Sequence, residues 1–489
     1  MFVGIDLGTS GLKAILLDRT NKVVVSVTVP LEISRPQPLW SEQNPQDWWQ
    51  ALESALDALV REARLLGIAP ASIEAIGLTG QMHGATLLDA QGEVIRPAIL
   101  WNDGRSAAEC VALESMVPHS REITGNLMMP GFTAPKLLWV ARHEPEIFAR
   151  VAKVLLPKDY LRFRLSGDYA TDLSDAAGTL WLDVARRDWN PELLAATGLS
   201  RQHMPTLYEG NQITGWLQPE LAFRWGMQVI PIVAGASDNA AGAIGAGMIA
   251  PGQCMLSLGT SGVCFAVTDG FLANPARAVH SFCHALPHTW HLMSVMLSAA
   301  SCLDFAADLT GYADVAAMLA DAEAKGWKKE LPYFLPYLTG ERTPHNNPAA
   351  KGVFFGLDAS CTKVDLANAT LEGVGLGLLD GIDALQSTGM ELGEMTVIGG
   401  GSRSAYWLQM LADIFGCALY QREGGEVGPA LGAARLAHLA LEPNHPVAMI
   451  CPILPLKQVF YPSTERHAYF RDVRQPMFQA VYRQLQSLF

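Results

Sequence analysis

Two carboxylates and three glycine turns are the parts of this sequence with chemistry to offer. Asp6 stands in the apolar run VGIDLGTSGLKAILLD, directly before the loop Leu7-Gly8-Thr9-Ser10-Gly11. The same pentapeptide returns 251 residues later, at 258–262, but there Ser257 takes the place of Asp6. Glycine in such a loop lets a ligand approach the backbone, and exposed amides bind phosphate without help from side-chain charge. A carboxylate beside the loop suits the Mg²⁺ that rides on a nucleotide, because Mg²⁺ takes one or two carboxylates plus phosphates and waters. The plainer alternative is an Asp that caps the turn. The asymmetry between the copies reads as two loops gripping one nucleotide's phosphates from two sides, with Asp6 also positioning the metal. Asp238, in GASDNAAG, follows an apolar run and precedes small residues. It is expected to be the N-cap of a helix and a general base, with the helix N-terminus keeping its carboxylate ionised.

The third turn is VIGGGSRSAYWLQ, where three glycines at 399–401 connect an apolar run to a helical pattern. Amides at such a helix start suit a nucleotide, while a tight strand–helix connection is the plainer reading. No G-x-x-x-x-G-K-[ST] loop and no H-R-D or D-F-G element occurs. The stretch HSFCHALPHTWH carries His280, His284, His288 and His291. Their spacing would make a zinc face only on a continuous helix, and Pro287 interrupts one between strand-like flanks.

The elements that must hold these residues alternate between strand and helix patterns. Each LGTSG copy reads as a hairpin, with strands such as 2–5 and 12–17 on either side of the loop. NPQDWWQALESALDALVREARLLG reads as a helix with Asn44 as cap and Pro45 at the first helical position. IEAIGLTGQMHGATLLD reads as strand–turn–strand around Gly80 and Gly84. Mixed patterns of this kind indicate an α/β protein. A chain of 489 residues exceeds one ordinary core. The large repeat offset divides it into halves, 1–245 and 246–489.

Composition sets outer limits. The formal net charge is −13 and no Lys/Arg-rich run appears, so neither nucleic acid nor an anionic membrane is an expected partner. The N-terminus opens on a strand pattern interrupted by Asp6 rather than on a signal peptide, and no run of about 18 apolar residues occurs. The eight cysteines are scattered without a C-x-x-C pair, which suits reduced thiols and a cytoplasmic location.

Taken together, these residues resemble the FGGY carbohydrate kinases. The paired loops, GASDNAAG and VIGGGSRS carry part of the likeness. GFTAPKLLWVARH at 131–143, with Lys136 and Trp139, is similar to the family's first signature. GVFFGLDASCTKVDLANATLEG at 352–373, with Gly356 and Asp365, is similar to the second. The stretches GQMHGATLLD, RPAILWNDGR, LPKDYLR and FLPYLTGERTPHNNP look like a ketopentose-phosphorylating branch of that family. The resemblance implies two ribonuclease H-like domains of the actin-like ATPase type with the active site in the cleft between them. It implies ATP and Mg²⁺, with D-xylulose as the sugar and its 5-phosphate as product. Carried over by position, Asp238 would be the base and Asp6 would serve the metal. Thr9, Ser10, Lys13, Gly259, Thr260, Gly400 and Ser404 would lie near the nucleotide. Met82, His83, Asp103, Asp238 and Asn239 would lie near the sugar, and the histidine cluster would be structural. The oligomeric state stays open, a homodimer being one option. Two rivals are a non-catalytic actin-like or chaperone-like ATPase, which would not need a sugar pocket, and a sugar-sensing regulator on the same fold.

Overall fold

The computed structural model describes residues 1–424 and 428–489. Two mixed seven-stranded sheets organise it. In the first, β1 (Phe2–Leu7), β2 (Gly11–Leu17) and β3 (Val23–Pro30) form an antiparallel meander. Helix α1 (Pro45–Leu65) starts as the sequence requires: Asn44 caps it by accepting from the Gln46 amide, and Pro45 opens it. Trp48, Leu52, Leu56 and Leu59 recur at helical spacing and are fully buried against this meander. The chain returns through β4 (Ala75–Gly80), parallel to β1. Helices α2 (Thr133–His143), α3 (Pro157–Ser166) and α4 (Leu173–Ala177) follow. Then come β5 (Ile213–Trp216), β6 (Pro231–Val233), β7 (Ala236–Ser237) and α5 (Asp238–Ala246). The strand order is β5-β6-β4-β1-β2-β3, with β7 pairing β4 beyond β6.

The second sheet repeats the plan. Strands β8 (Cys254–Leu258) and β9 (Gly262–Thr268) form the second LGTSG hairpin. Strands β10 (His280–Cys283) and β11 (Trp290–Met296) extend it antiparallel. The 24-residue helix α6 (Lys363–Gln386), opened by a Thr362/Asp365 capping box, covers it. Strand β12 (Met395–Ile398) lies parallel to β8, as β4 does to β1. Helix α7 (Ala405–Phe415), β13 (Leu419–Arg422), α8 (Gly428–Leu441) and β14 (Leu456–Phe460) complete it.

The halves are joined by backbone contact, not only by a linker. Helix α8 leaves the second half and packs on β1, β4 and α5 of the first. Only glycine permits the approach: a Cβ on Gly77 would lie 1.9 Å from the Ala433 carbonyl oxygen, and one on Gly432 would lie 1.8 Å from that of Ala241. Among the described residues, no helix is long and apolar enough to cross a membrane.

Candidate active site

Strand register brings the two carboxylates together. Strands β1 and β7 flank β4, and Asp6 and Ala236 both stand opposite Thr79. Asp238 follows Ala236 by two residues, so both acids emerge at the same end of the sheet. Asp238 is the first residue of α5 and Ser237 holds the cap position, which corrects the expected N-cap role. Its Oδ1 accepts from the Asn239 amide at 2.7 Å and from Asn239 Nδ2 at 3.0 Å. Oδ2 takes no side-chain donor among the described residues.

The expected ionisation of Asp238 is also corrected. Burial, with the nearby Asp6 carboxylate second, pushes its pKa up to about 7. Burial pushes Asp6 up to about 6, against the opposing charge of Lys13. A helix N-terminus favours a carboxylate by about 0.3–1 kcal/mol, whereas lifting a carboxyl by three units costs about 4 kcal/mol, so dehydration wins. The result is a carboxyl poised near neutrality.

A buried ionic scaffold fixes the turn that carries Asp238. The Ser237 amide donates to Ser174 Oγ at 3.0 Å, and the Ser174 amide and hydroxyl both donate to Asp172. Lys158 Nζ then binds Asp172 and Asp159 at 2.8 Å and Asp175 at 3.0 Å. Arg162 binds Asp159 at 2.7 Å and also donates to the Ala234 carbonyl, just before β7.

The Gln81-Met82-His83 turn is held as closely. His83 sits at φ +68°. Its carbonyl accepts from Lys136 Nζ at 2.9 Å and Thr133 Oγ1 at 3.1 Å. Its Nδ1 donates to the Gly178 carbonyl at 2.6 Å, a contact that a Cβ on Gly178 would obstruct at 2.7 Å from the ring. Burial first, then the Lys136 charge, holds the imidazole well below its ordinary pKa. A neutral ring with Nδ1 protonated presents Nε2 as an acceptor.

Both LGTSG loops engage carbonyls and leave the amides at their tips free, the Gly259 amide alone turning inward to the Ser261 carbonyl at 3.1 Å. In the first, the Leu31 amide donates to the Ser10 carbonyl and Gln43 Nε2 to the Thr9 carbonyl. In the second, the Ala299 and Ser301 amides donate to the Thr260 carbonyl and Ala300 to that of Gly259. No described residue accepts from the N–H of Thr9, Ser10, Thr260 or Ser261. Free amides at the tips of both loops fit an anionic phosphate. The loops differ in register: Leu7 pairs Leu12, while Leu258 pairs Gly262. Lys13 therefore faces Asp6, and Val263 faces Ser257. No described residue donates a hydrogen bond to the Asp6 carboxylate. Such an acid beside free loop amides fits Mg²⁺ carried on phosphates.

A cavity of about 230 Å³ lies between the halves, lined by Met82, His83, Asp238 and Asn239 as the sequence predicts. Asp103 is not brought into it. Its carboxylate is buried and already bonded to Arg105 and to the Ser41 amide at 2.6 Å. The Thr9 hydroxyl donates to Gln81 Oε1 at 3.0 Å and accepts from Trp101 Nε1 at 2.9 Å. Gly400 is exposed beyond β12, next to the second loop, and Ser404 Oγ caps α7 at the Trp407 amide. The histidine cluster divides. His284 and His291 are buried within the second half, but His280 lines the cavity. No group of three or more His, Cys, Asp or Glu among the described residues could hold a metal ion.

Sequence reasoning missed Trp101, His280 and Arg342 as lining residues. Their stretches, RPAILWNDGR, HSFCHALP and GERTPHNNP, were visible, but only the fold shows which side chains turn inward. A larger cleft of about 740 Å³ opens on the outside of the first half, away from both loops. Its arginines are engaged: Arg96 with Glu42 and Glu144, Arg164 over Trp49.

Comparison with known proteins gives the family and the fold. The model of the FGGY carbohydrate kinase N-terminal domain matches residues 1–245, and that of the C-terminal domain matches 254–441. The chain is 59% identical over 488 residues to the xylulose kinase of Escherichia coli K12 and 57% identical to that of Klebsiella pneumoniae, covering all of each. It matches the crystal structure of a xylulose kinase from Rhodospirillum rubrum with a TM-score of 0.92 at 27% identity, over 100% of this chain and 99% of that one. A glycerol kinase from Plasmodium falciparum with ADP shares the fold, at a TM-score of 0.90 and 20% identity, over 99% of this chain and 98% of that one.

Proposed function

The chain belongs to the FGGY family of carbohydrate kinases, which phosphorylate sugars with ATP, and from that premise we propose that its sugar is D-xylulose and its product the 5-phosphate. The observation that carries the reading is the cavity itself, lined by a carboxyl poised near pH 7 and a neutral histidine, with free loop amides close by.

In this mechanism the halves 1–245 and 246–489 act as two jaws on the substrates. Asn239 holds Asp238 through Oδ1, leaving Oδ2 to take the proton of the attacking sugar hydroxyl. His83 Nε2 accepts from a second hydroxyl and sets the sugar's direction. The amides of Thr9, Ser10, Thr260 and Ser261 hold the phosphates in line with that hydroxyl. Asp6 would hold Mg²⁺, which when bound neutralises charge on the transferring phosphoryl group. Closure of the jaws excludes water, the competing nucleophile. Lys13, Gly259, Gly400 and Ser404 belong to the nucleotide side of the same proposal. Cytoplasmic residence belongs to it too, supported by eight cysteines that are all free thiols.

A coupled ADP-release assay across ketoses and polyols tests this reading. D-xylulose is expected to give the highest kcat/KM. ADP release unaffected by any sugar would favour the ATPase alternative and overturn the kinase reading.

A further inference from the structure

Arg342 carries a positive charge into the sugar cavity without an ion-pair partner among the described residues. It comes from GERTPHNNP in the second half and lines the cavity with His83 and His280. Its guanidinium reaches across the cleft until Nη2 lies 3.9 Å from where a Cβ on Gly131, in the first half, would stand. Among the described residues, no carboxylate pairs with it and no oxygen accepts a hydrogen bond from it. The neighbouring Glu341 is turned elsewhere, to the Leu297 and Arg342 amides at 3.0 and 2.7 Å. A guanidinium carries five donors and no acceptor, and here those donors face the cavity, where water or the oxygens of a ligand can take them.

Its neighbours define what those oxygens belong to. His280 Nδ1 meets Asn126 Oδ1 at 3.3 Å, and the same oxygen accepts from the Ser281 amide, so Nδ1 is the donor. The buried Nε2 of His280 is then an acceptor, and it has no partner. His83 likewise offers Nε2. This end of the cavity therefore presents planar donors from Arg342 beside two ring acceptors. The Arg342 charge adds to burial in holding both histidines neutral, which puts it at their end of the cavity.

We propose that Arg342 reads the hydroxyketone end of the sugar, its planar fork donating to the C1 and C2 oxygens together. The inference rests on the D-xylulose reading above. If Asp238 faces the C5 hydroxyl, the other end of the sugar is C1–C2. There the sp² carbon lets O1 and O2 lie in one plane, which a guanidinium matches bidentately. The C1 hydroxyl donates in turn to a histidine Nε2. A polyol such as xylitol has a tetrahedral C2, whose oxygens do not hold that plane.

The test measures kcat/KM for D-xylulose and for xylitol in wild type, Arg342→Met and Arg342→Lys. Arg342→Met is expected to lower kcat/KM for D-xylulose about 10- to 100-fold, mainly through KM, the range for one or two lost hydrogen bonds. Xylitol should lose several-fold less, and KM for ATP should stay within about twofold. Arg342→Lys keeps the charge without the fork and should retain only part of the ketose preference. An equal loss with both sugars, or a fall confined to kcat, would overturn the proposal and move Arg342 to a structural role or to the phosphoryl group. The underlying reading fails separately: it falls if wild type does not prefer D-xylulose, whatever the variants do.

Discussion

The two LGTSG hairpins share five residues and a backbone strategy, yet they sit in unlike company. Around the first stand Asp6, Lys13, the Gln81–His83 turn and, one strand over, Asp238. Around the second stand Ser257, Val263 and the Gly399–Gly401 turn. The first half supports its acids with a fully buried lattice of Lys158, Arg162, Asp159, Asp172 and Asp175. The second loop is latched mainly by backbone bonds to 299–301. On the proposed reading, the same glycine loop serves twice as a phosphate cradle, and the chemistry depends on what the flanking strands deliver beside it. In the proposed mechanism, one half supplies base and metal ligand. The other supplies amides, His280 and Arg342, and so completes the site only when both halves meet.

The largest expected effect is on the residue with no counterpart function in the second half. Asp238→Asn should lower kcat by about 10²–10⁴, the range for a lost general base, with both substrates still bound. Steady-state turnover with isothermal binding of sugar and ATP checks it. Near-normal turnover would remove Asp238 from the role and leave the two halves chemically alike.

Exchanging the acid of one loop and the serine of the other sharpens the contrast. Asp6→Asn should cost about 10²-fold in turnover, as losing one preorganised charge-stabilising group does, and should raise the Mg²⁺ needed for half activity. Ser257→Ala should change either quantity by less than about twofold. Mg²⁺ titrations of both variants decide it, and equal shifts would show that the loop asymmetry does not concern the metal.

A smaller effect belongs to the turn beside the first loop. His83→Ala removes one acceptor for a buried hydroxyl, worth about 1–3 kcal/mol, or roughly 10- to 100-fold in specificity constant. KM for xylulose should rise while KM for ATP stays nearly fixed. An unchanged sugar KM in a folded variant would put His83 outside the sugar site.

Much of this arrangement was legible from the sequence, for a definable reason. The hairpins, α1 with its Asn44 cap, and the strand–turn–helix around Asp238 are encoded in adjacent residues. The nearness of Asp6, Asp238, His83 and Asn239 came through the family resemblance, and the strand register accounts for it. What adjacent residues do not encode is which way a distant side chain turns. Asp103 lies next to Trp101, in a plausible stretch, yet its carboxylate binds Arg105 while the indole lines the cavity. His280 looked like one member of a four-histidine run, but it shares a sheet face with Phe282, Met293 and Val295 at the cavity, while His291, further along the same face, and His284, past the end of β10, are buried outside the lining. The ionisation of Asp238 was misread because helix-end electrostatics are local, whereas burial in a cleft between two halves depends on the whole fold.

The smallest expected effect is a shift in a pH profile, and it ties the two acids of the first half together. Asp238 must be deprotonated to accept a proton, and burial plus the Asp6 carboxylate raises its pKa to about 7. Activity as kcat/KM should therefore fall as pH drops below about 7 and level off above it. Burial raises Asp6 to about 6, so it is charged in the upper part of that limb, where it repels the second charge. Removing it by Asp6→Asn eases the ionisation of Asp238, and the acid limb should move to lower pH even though the activity remaining is small. Ser257→Ala removes no charge, so its limb should overlay that of wild type. The profiles of wild type and both variants, taken as kcat/KM with Mg-ATP varied so that they report the enzyme before the metal binds, test this. A limb in Asp6→Asn that stays in place, or moves to higher pH, would mean that burial alone sets the base. The pairing of acids that distinguishes the first hairpin from the second would then have no electrostatic consequence.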